Sequence, residues 1–188
     1  MLKKQSKILK KGSLQMQHAH LKSSHILKGA VGKHADKLPD HHFKKVKVKR
    51  GLAGLGLFAG EDIKKGELII EYIGNILTKK EADKVTTCQY LFEITRNHTI
   101  DGSPRWNIAR YANHSCDGNA ESDVKKKRVF VKAIKNIKEG EEIVYDYGEE
   151  FVKEYIAPYG CNCTAKKHLY GLKSDEQVKQ EAGNKKKE

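Results

Sequence analysis

Alternation of apolar and polar positions begins at Val46-Lys-Val-Lys-Arg50, a strand-like pattern. Ahead of it, residues 1–45 show no sustained apolar periodicity, and six of the nine histidines (18, 20, 25, 34, 41 and 42) lie there among lysines. Such a segment has too little apolar surface to offset its ordering entropy and is expected to be a mostly disordered basic arm. The run Gly51-Leu-Ala-Gly-Leu-Gly-Leu-Phe-Ala59 sets glycines among apolar residues, and the ordered domain is expected to start here. Gly54-Leu-Gly56 by itself reads as a tight turn or bulge, since no third glycine and no helix follow it.

Beyond this point the pattern predicts short strands separated by turns. One β-rich run spans Leu68-Ile-Ile-Glu-Tyr-Ile-Gly-Asn-Ile-Leu77, a short helix fits Lys79 to Val85, and Gln89-Tyr-Leu-Phe-Glu-Ile-Thr95 turns through Arg96 and Asn97 into His98-Thr-Ile-Asp101. A short helix suits Trp106 to Asn113, and a hairpin follows with arms Ala120 to Val124 and Arg128 to Ile134 and three lysines at its tip. Glu141-Glu-Ile-Val-Tyr-Asp-Tyr147 predicts a last strand, and Ser174 to Ala182 a charged amphipathic segment. Many short strands with little helix predict a β-rich α+β domain.

Charge changes this picture by its placement. The chain has 188 residues and a formal net charge of +13, but residues 1–50 hold 14 basic and 2 acidic residues while the remainder holds 23 and 22. The folded part is therefore nearly neutral, and the basic end, residues 1–50, is the segment expected to make non-specific contact with nucleic acid. No window approaches the roughly 18 apolar residues of a membrane span, and Met1-Leu2-Lys3-Lys4 leads into more lysines, which argues against Sec secretion. Four cysteines, two of them as Cys161-x-Cys163, are too few for a disulfide scaffold and suit a reducing compartment.

Two segments carry candidate chemistry. Arg110-Tyr-Ala-Asn-His-Ser-Cys116 is dense in polar groups. Its residue types are compatible with a pocket for a heteroaromatic ring built on Asn113 and His114, with a nucleophilic pair of Cys116 and His114, or with a hydrogen-bonded structural histidine. Tyr145-Asp-Tyr147-Gly148 puts two phenols on one face of a strand, and Tyr72 and Tyr90 add others. Stacked tyrosines serve as core packing, or as walls that strip water from a reacting amine and aim it.

Taken in order, Gly54-x-Gly56, Glu71-Tyr-x-Gly74, Asp101 with Asn107-Ile-Ala-Arg-Tyr-Ala-Asn-His-Ser-Cys116, and Tyr145-Asp-Tyr-Gly148 resemble the SET domain of protein-lysine methyltransferases. The resemblance covers roughly residues 46–163 and is similar to stand-alone SET proteins. It implies a fold of small β-sheets in which the Asn-His-Ser and Tyr-Asp-Tyr segments cross in a knot-like way. It divides the chain into a basic arm (1–45), a SET domain (46–152), a post-SET-like segment (153–173) and a charged tail (174–188).

By the same resemblance the cofactor is S-adenosylmethionine, with binding residues Leu55, Gly56, Leu57, Arg110, Asn113 and His114. A substrate lysine would enter a channel lined by Tyr90 and Tyr145, with Tyr147 nearest the methyl group, and a tyrosine at 145 implies mono- or dimethylation. A post-SET zinc site in the family uses a cysteine after Asn-His-Ser and a Cys-x-Cys-x4-Cys run. Here Cys116, Cys161 and Cys163 match and His168 stands at the fourth position, so one structural zinc is the expectation. The implied substrate is a protein with an exposed lysine, a histone or nucleosome first and another basic DNA-associated protein next. The implied location is intracellular, at chromatin of its own or a host nucleus or else in the cytoplasm. The rival reading is a catalytically silent SET module that binds chromatin or nucleic acid through its arm.

Overall fold

The computed structural model describes residues 43–85 and 88–184. Residues 1–42, nearly all of the expected basic arm, and 185–188 lie outside the described residues. Four small sheets make up the domain. Strands β1 (Val46–Gly51) and β2 (Gly54–Ala59) form an antiparallel hairpin. Gly54 closes its turn at φ +108°, a left-handed value that glycine tolerates at no steric cost, which fits the expected tight turn.

The run 68–77 does not continue as one strand. It breaks after Tyr72 into β3 (Leu68–Tyr72) and β4 (Asn75–Thr78), which belong to different sheets. β3 lies against β9 (Arg128–Ala133), whose other neighbour is β8 (Ala120–Lys125). The expected lysine tip is a two-residue turn in which Lys126 and Lys127 both take positive φ, as a tight hairpin with native twist demands. β4 pairs with β6 (His98–Asp101), which also pairs with β5 (Leu91–Thr95), and α1 (Lys79–Ala82) caps this sheet's loop. A capping box between Thr78 and Glu81 starts that helix as its sequence suggests.

The expected last strand over 141–147 is also shorter than the pattern implies. Only Val144–Tyr145 (β10) joins a ladder, because it must lie parallel to the two-residue strand β7 (Asn113–His114), and Glu142 makes an isolated bridge to Phe58. The Asn-His-Ser and Tyr-Asp-Tyr segments thus run side by side, with Ser115 N–H donating to the Tyr145 carbonyl at 3.0 Å.

Under these sheets lies the main core, which includes Leu57, Ile63, Ile70, Val131, Ile137 and Ile143, each at most 1% exposed. Buried Glu71 is held in a bidentate pair with Arg128, both contacts at 2.7 Å. A second, smaller cluster joins Cys116, Val152, Cys161 and Leu172. It forms where α2 (Glu149–Phe151) runs on into a π turn through Ile156, and where α3 (Asp175–Asn184) begins beside Cys161. Ser174 and Gln177 cap α3 reciprocally, at 3.2 and 2.9 Å. Among the described residues no helix is long and apolar enough to cross a membrane.

Candidate functional site: a tyrosine cavity beside a glycine corner

Tyr145 ends β10 and Tyr147 follows two residues later beyond the strand, and their ring centroids are 5.0 Å apart. They share a cavity of about 120 Å³ with Tyr72, Tyr90, Arg110 and Phe151. Phe151, delivered by α2, meets Tyr147 edge-on at 5.0 Å and 88°. The Tyr147 hydroxyl donates to the Ala112 carbonyl at 2.7 Å, and its backbone N–H donates to His114 Nδ1 at 3.3 Å. Tyr72 donates to the Tyr90 carbonyl at 2.9 Å and so fixes that turn.

Burial raises the pKa of Tyr72, Tyr145 and Tyr147 above the ordinary phenol value, and neighbouring phenols add to the effect at Tyr72 and Tyr147. These groups therefore stay protonated at neutral pH. They orient and desolvate rather than act as phenolate bases.

Arg110 was expected beside the cofactor residues, and the structure sets it among the phenols. Its guanidinium stands 3.8 Å over the Tyr90 ring, an Nη1 donates to the Ser103 carbonyl, and its buried Nε has no hydrogen-bond partner among the described residues. The reason is local: the one-turn 3₁₀ helix Ile108–Tyr111 ends at Tyr111, so the extended chain at Ala112 separates Arg110 from Asn113. Trp106, next to this turn, is 58% exposed.

The other predicted cofactor residues meet on the neighbouring face. Asn113 Nδ2 donates to the Leu55 carbonyl at 3.1 Å and to Glu142 Oε1 at 2.7 Å. Because both partners are acceptors, they fix which end of the amide is nitrogen and leave Oδ1 free of them. Leu55 is 48% exposed, whereas Leu57 is fully buried and its carbonyl accepts from Ile143 N–H at 2.7 Å. A Cβ on Gly56 would stand 2.2 Å from Glu142 Oε1, so the carboxylate packs directly across the glycine and would have to move aside for any side chain there. Glu142 is not singled out by the sequence, which places it in the expected last strand; its signal is its position there on the opposite parity to the tyrosines. His114 is turned toward the C-terminal segment, with Nε2 3.4 Å from Cys116 Sγ and Nδ1 3.8 Å from Asp146. Burial holds its pKa below the usual imidazole value.

The structure also brings Cys116, Cys161, Cys163 and His168 together, with one ligand atom from each within 4.8 Å of the rest. Cys116 and Cys161 sulfurs are 3.9 Å apart, and Cys163 Sγ is 3.6 Å from His168 Nδ1. A tetrahedral site with bonds of about 2.3 Å spaces its sulfurs about 3.8 Å apart, so this donor set can hold a metal ion. Burial pushes the Cys161 thiol up to about 12. Burial works against ionisation of Cys163 too, but N–H groups of Cys116 and Ala165 and the two neighbouring thiols overcome it and bring Cys163 to about 7. Of the three thiols, Cys163 is thus the most readily ionised.

Known proteins similar to this chain point to one family. The SET domain family model matches residues 54–148. Over 137 residues the chain is 36% identical to the histone-lysine N-methyltransferase ASHH3 of Arabidopsis thaliana, covering 66% of this chain and 37% of that protein. It is 38% identical over 136 residues to the histone-lysine N-methyltransferase set-2 of Caenorhabditis elegans, covering 65% and 9%. The chain thus spans little more than a third of the first relative and a small part of the second. Among solved structures, ctPRC2 in an autoinhibited conformation bound to S-adenosylmethionine matches with a TM-score of 0.52 and 32% identity, over 56% of this chain and 15% of that one.

Proposed function

This chain belongs to the SET-domain family, and from that premise we propose that it transfers a methyl group from S-adenosylmethionine to a lysine side chain of a protein. Histones are the substrate class suggested by the relatives' names, with other basic DNA-associated proteins next, and chromatin is the corresponding place of action. The observation that carries the reading is the junction of two sites. Tyr147 lines the tyrosine cavity and its N–H bonds His114, the neighbour of Asn113 on the β7–β10 pair, and in this reading a chain entering the cavity meets a ligand held at the corner.

The corner fits the cofactor by its donor set. Leu55 at the exposed rim, the backbone beside Gly56, the oriented amide of Asn113 and the segment at His114 would hold it, with Leu57 contributing main chain alone. The cofactor supplies a methyl group on a positive sulfur, so a neutral amine needs alignment more than acid catalysis. Tyr90 and Tyr145 would wall the amine off from water, and Tyr147, held by the Ala112 carbonyl, would orient it. Burial among apolar rings favours the neutral over the charged amine. Arg110 belongs in this account to the Tyr90 wall rather than to the cofactor.

Cys116, Cys161, Cys163 and His168 would hold one structural zinc, tying residues 161–168 to the chain just after His114. The test is incubation of the full chain with labelled S-adenosylmethionine and a panel of histones and basic proteins. The reading expects label on a lysine of one of them, and mass spectrometry then identifies the residue. A silent binding module would bind nucleosomes through residues 1–50 and leave every protein unlabelled.

A further inference from the structure

Glu142 is a carboxylate packed into the glycine corner, and among the described residues it forms no ion pair. It is half-buried, a Cβ at Gly51 would stand 2.9 Å from its Oε2, and one at Gly56 would stand 2.2 Å from its Oε1. Its side-chain hydrogen bond comes from Asn113 at 2.7 Å, and it takes part in no ion pair among the described residues. Two cations of β1 have other partners: Lys49 lies over the Phe58 ring at 5.6 Å, and Lys47 reaches Glu139 at 3.8 Å. The carboxylate is not there by accident of a mobile loop. Its backbone bridges Phe58 and its carbonyl accepts from Asn119 Nδ2 at 2.8 Å, while Asn119 Oδ1 receives the Val144 N–H at 3.0 Å.

A carboxylate that accepts from one amide and pairs with no cation keeps acceptor capacity that a cationic ligand can fill. Its field also reaches the other site, since after burial and the neighbouring phenols Glu142 is among the groups that keep Tyr147 protonated. Its charge therefore acts on Tyr147 from the corner side.

We infer that Glu142 is a positioning and specificity residue that distinguishes the positively charged methyl donor from its neutral thioether product. The inference rests on the cofactor reading above. By accepting from Asn113, Glu142 fixes the amide so that Oδ1 faces a ligand donor. By its charge it favours the sulfonium form, so that the corner loosens its hold once the methyl group has left and the positive charge has passed to the substrate nitrogen.

The measurement is direct binding of S-adenosylmethionine and of S-adenosylhomocysteine to the full chain by calorimetry, without protein substrate. Glu142→Gln keeps the shape and a hydrogen-bonding oxygen but removes the charge. It should weaken binding of the donor about tenfold or more, the scale of one close charge pair in a partly solvated site, and weaken binding of the product about threefold or less. Equal loss for both ligands, or no loss, would overturn the inference while leaving the cofactor reading intact. Failure of the unmodified chain to bind either ligand would overturn the cofactor reading itself. Should Glu142→Gln not fold, as judged by its melting transition, Glu142→Asp keeps the charge but withdraws it by one methylene and must show the same bias in smaller degree; an unbiased Asp variant would also sink the inference.

Discussion

The main core and the cysteine cluster support the two halves of the same site by different physics. Sixteen buried residues form the first, drawn from most strands of the domain. The second has Cys116, Val152, Cys161 and Leu172, with a few half-buried neighbours, yet it must order the chain from α2 to the start of α3. Fixing a backbone costs about 1–2 kcal/mol per residue, far more than four such side chains return. The glycine corner therefore sits on a large apolar core, while the C-terminal wall rests on a small one that the proposed zinc would reinforce. Tyr147 packs against both cores, so the group nearest the proposed chemistry reports on each.

Removing the proposed zinc should separate the halves most sharply. Structural zinc contributes on the order of 10 kcal/mol in small motifs, so chelation, or Cys161→Ser, should release residues 149–175 while β1–β9 stay folded. Hydrogen exchange checks this: fast exchange at 161–175 with protected amides at Ile70 and Val131 is expected, and uniform protection throughout would show that the small cluster stands alone. Next in size, Ile143→Ala should cost about 2–5 kcal/mol and lower the melting temperature of the whole domain. Val152→Ala, equally buried but in the second cluster, should lower methyl transfer more than it lowers that transition. A single cooperative shift of the same size for both variants would remove the distinction between the cores.

How much of this was legible in the sequence follows the same division. The β5–β6 and β8–β9 hairpins could be read because alternation and turn residues are local properties. The break after Tyr72 could not, since it depends on which sheet each half joins, nor could the shortness of β10, which is set by the two residues of β7. At the site, the tyrosines and the Asn113 segment are carried by motif order, and the structure places Tyr90, Tyr145 and Tyr147 around one cavity. Arg110 and Glu142 were not legible in their actual settings. One lies over a ring twenty residues away in sequence and the other across Gly56, and neither contact leaves a periodic trace.

Two smaller effects sharpen the contrast inside the first core. Arg128→Ala leaves Glu71 buried without its bidentate partner; because the arginine itself is 39% exposed, a loss of about 2 kcal/mol is expected in chemical denaturation, below the range for fully buried pairs. An unchanged midpoint would mean that the pair is structurally idle. Tyr145→Phe should barely alter stability, since it removes one hydroxyl, yet it should raise the number of methyl groups added per lysine. Product masses identical to those of the unmodified chain would take Tyr145 out of product control.

The central claim is that Tyr147 joins a cofactor corner to a lysine cavity. It is tested most directly by comparing Tyr147→Phe with the unmodified chain in two readings, calorimetric binding of S-adenosylmethionine and mass spectrometry of lysine methylation on the best histone substrate. The account predicts that binding changes little while methyl transfer falls by about a hundredfold or more, the scale of loss when a reacting group is misaligned. Full transfer by the phenylalanine variant, or no transfer by the unmodified chain to any lysine offered, would contradict it.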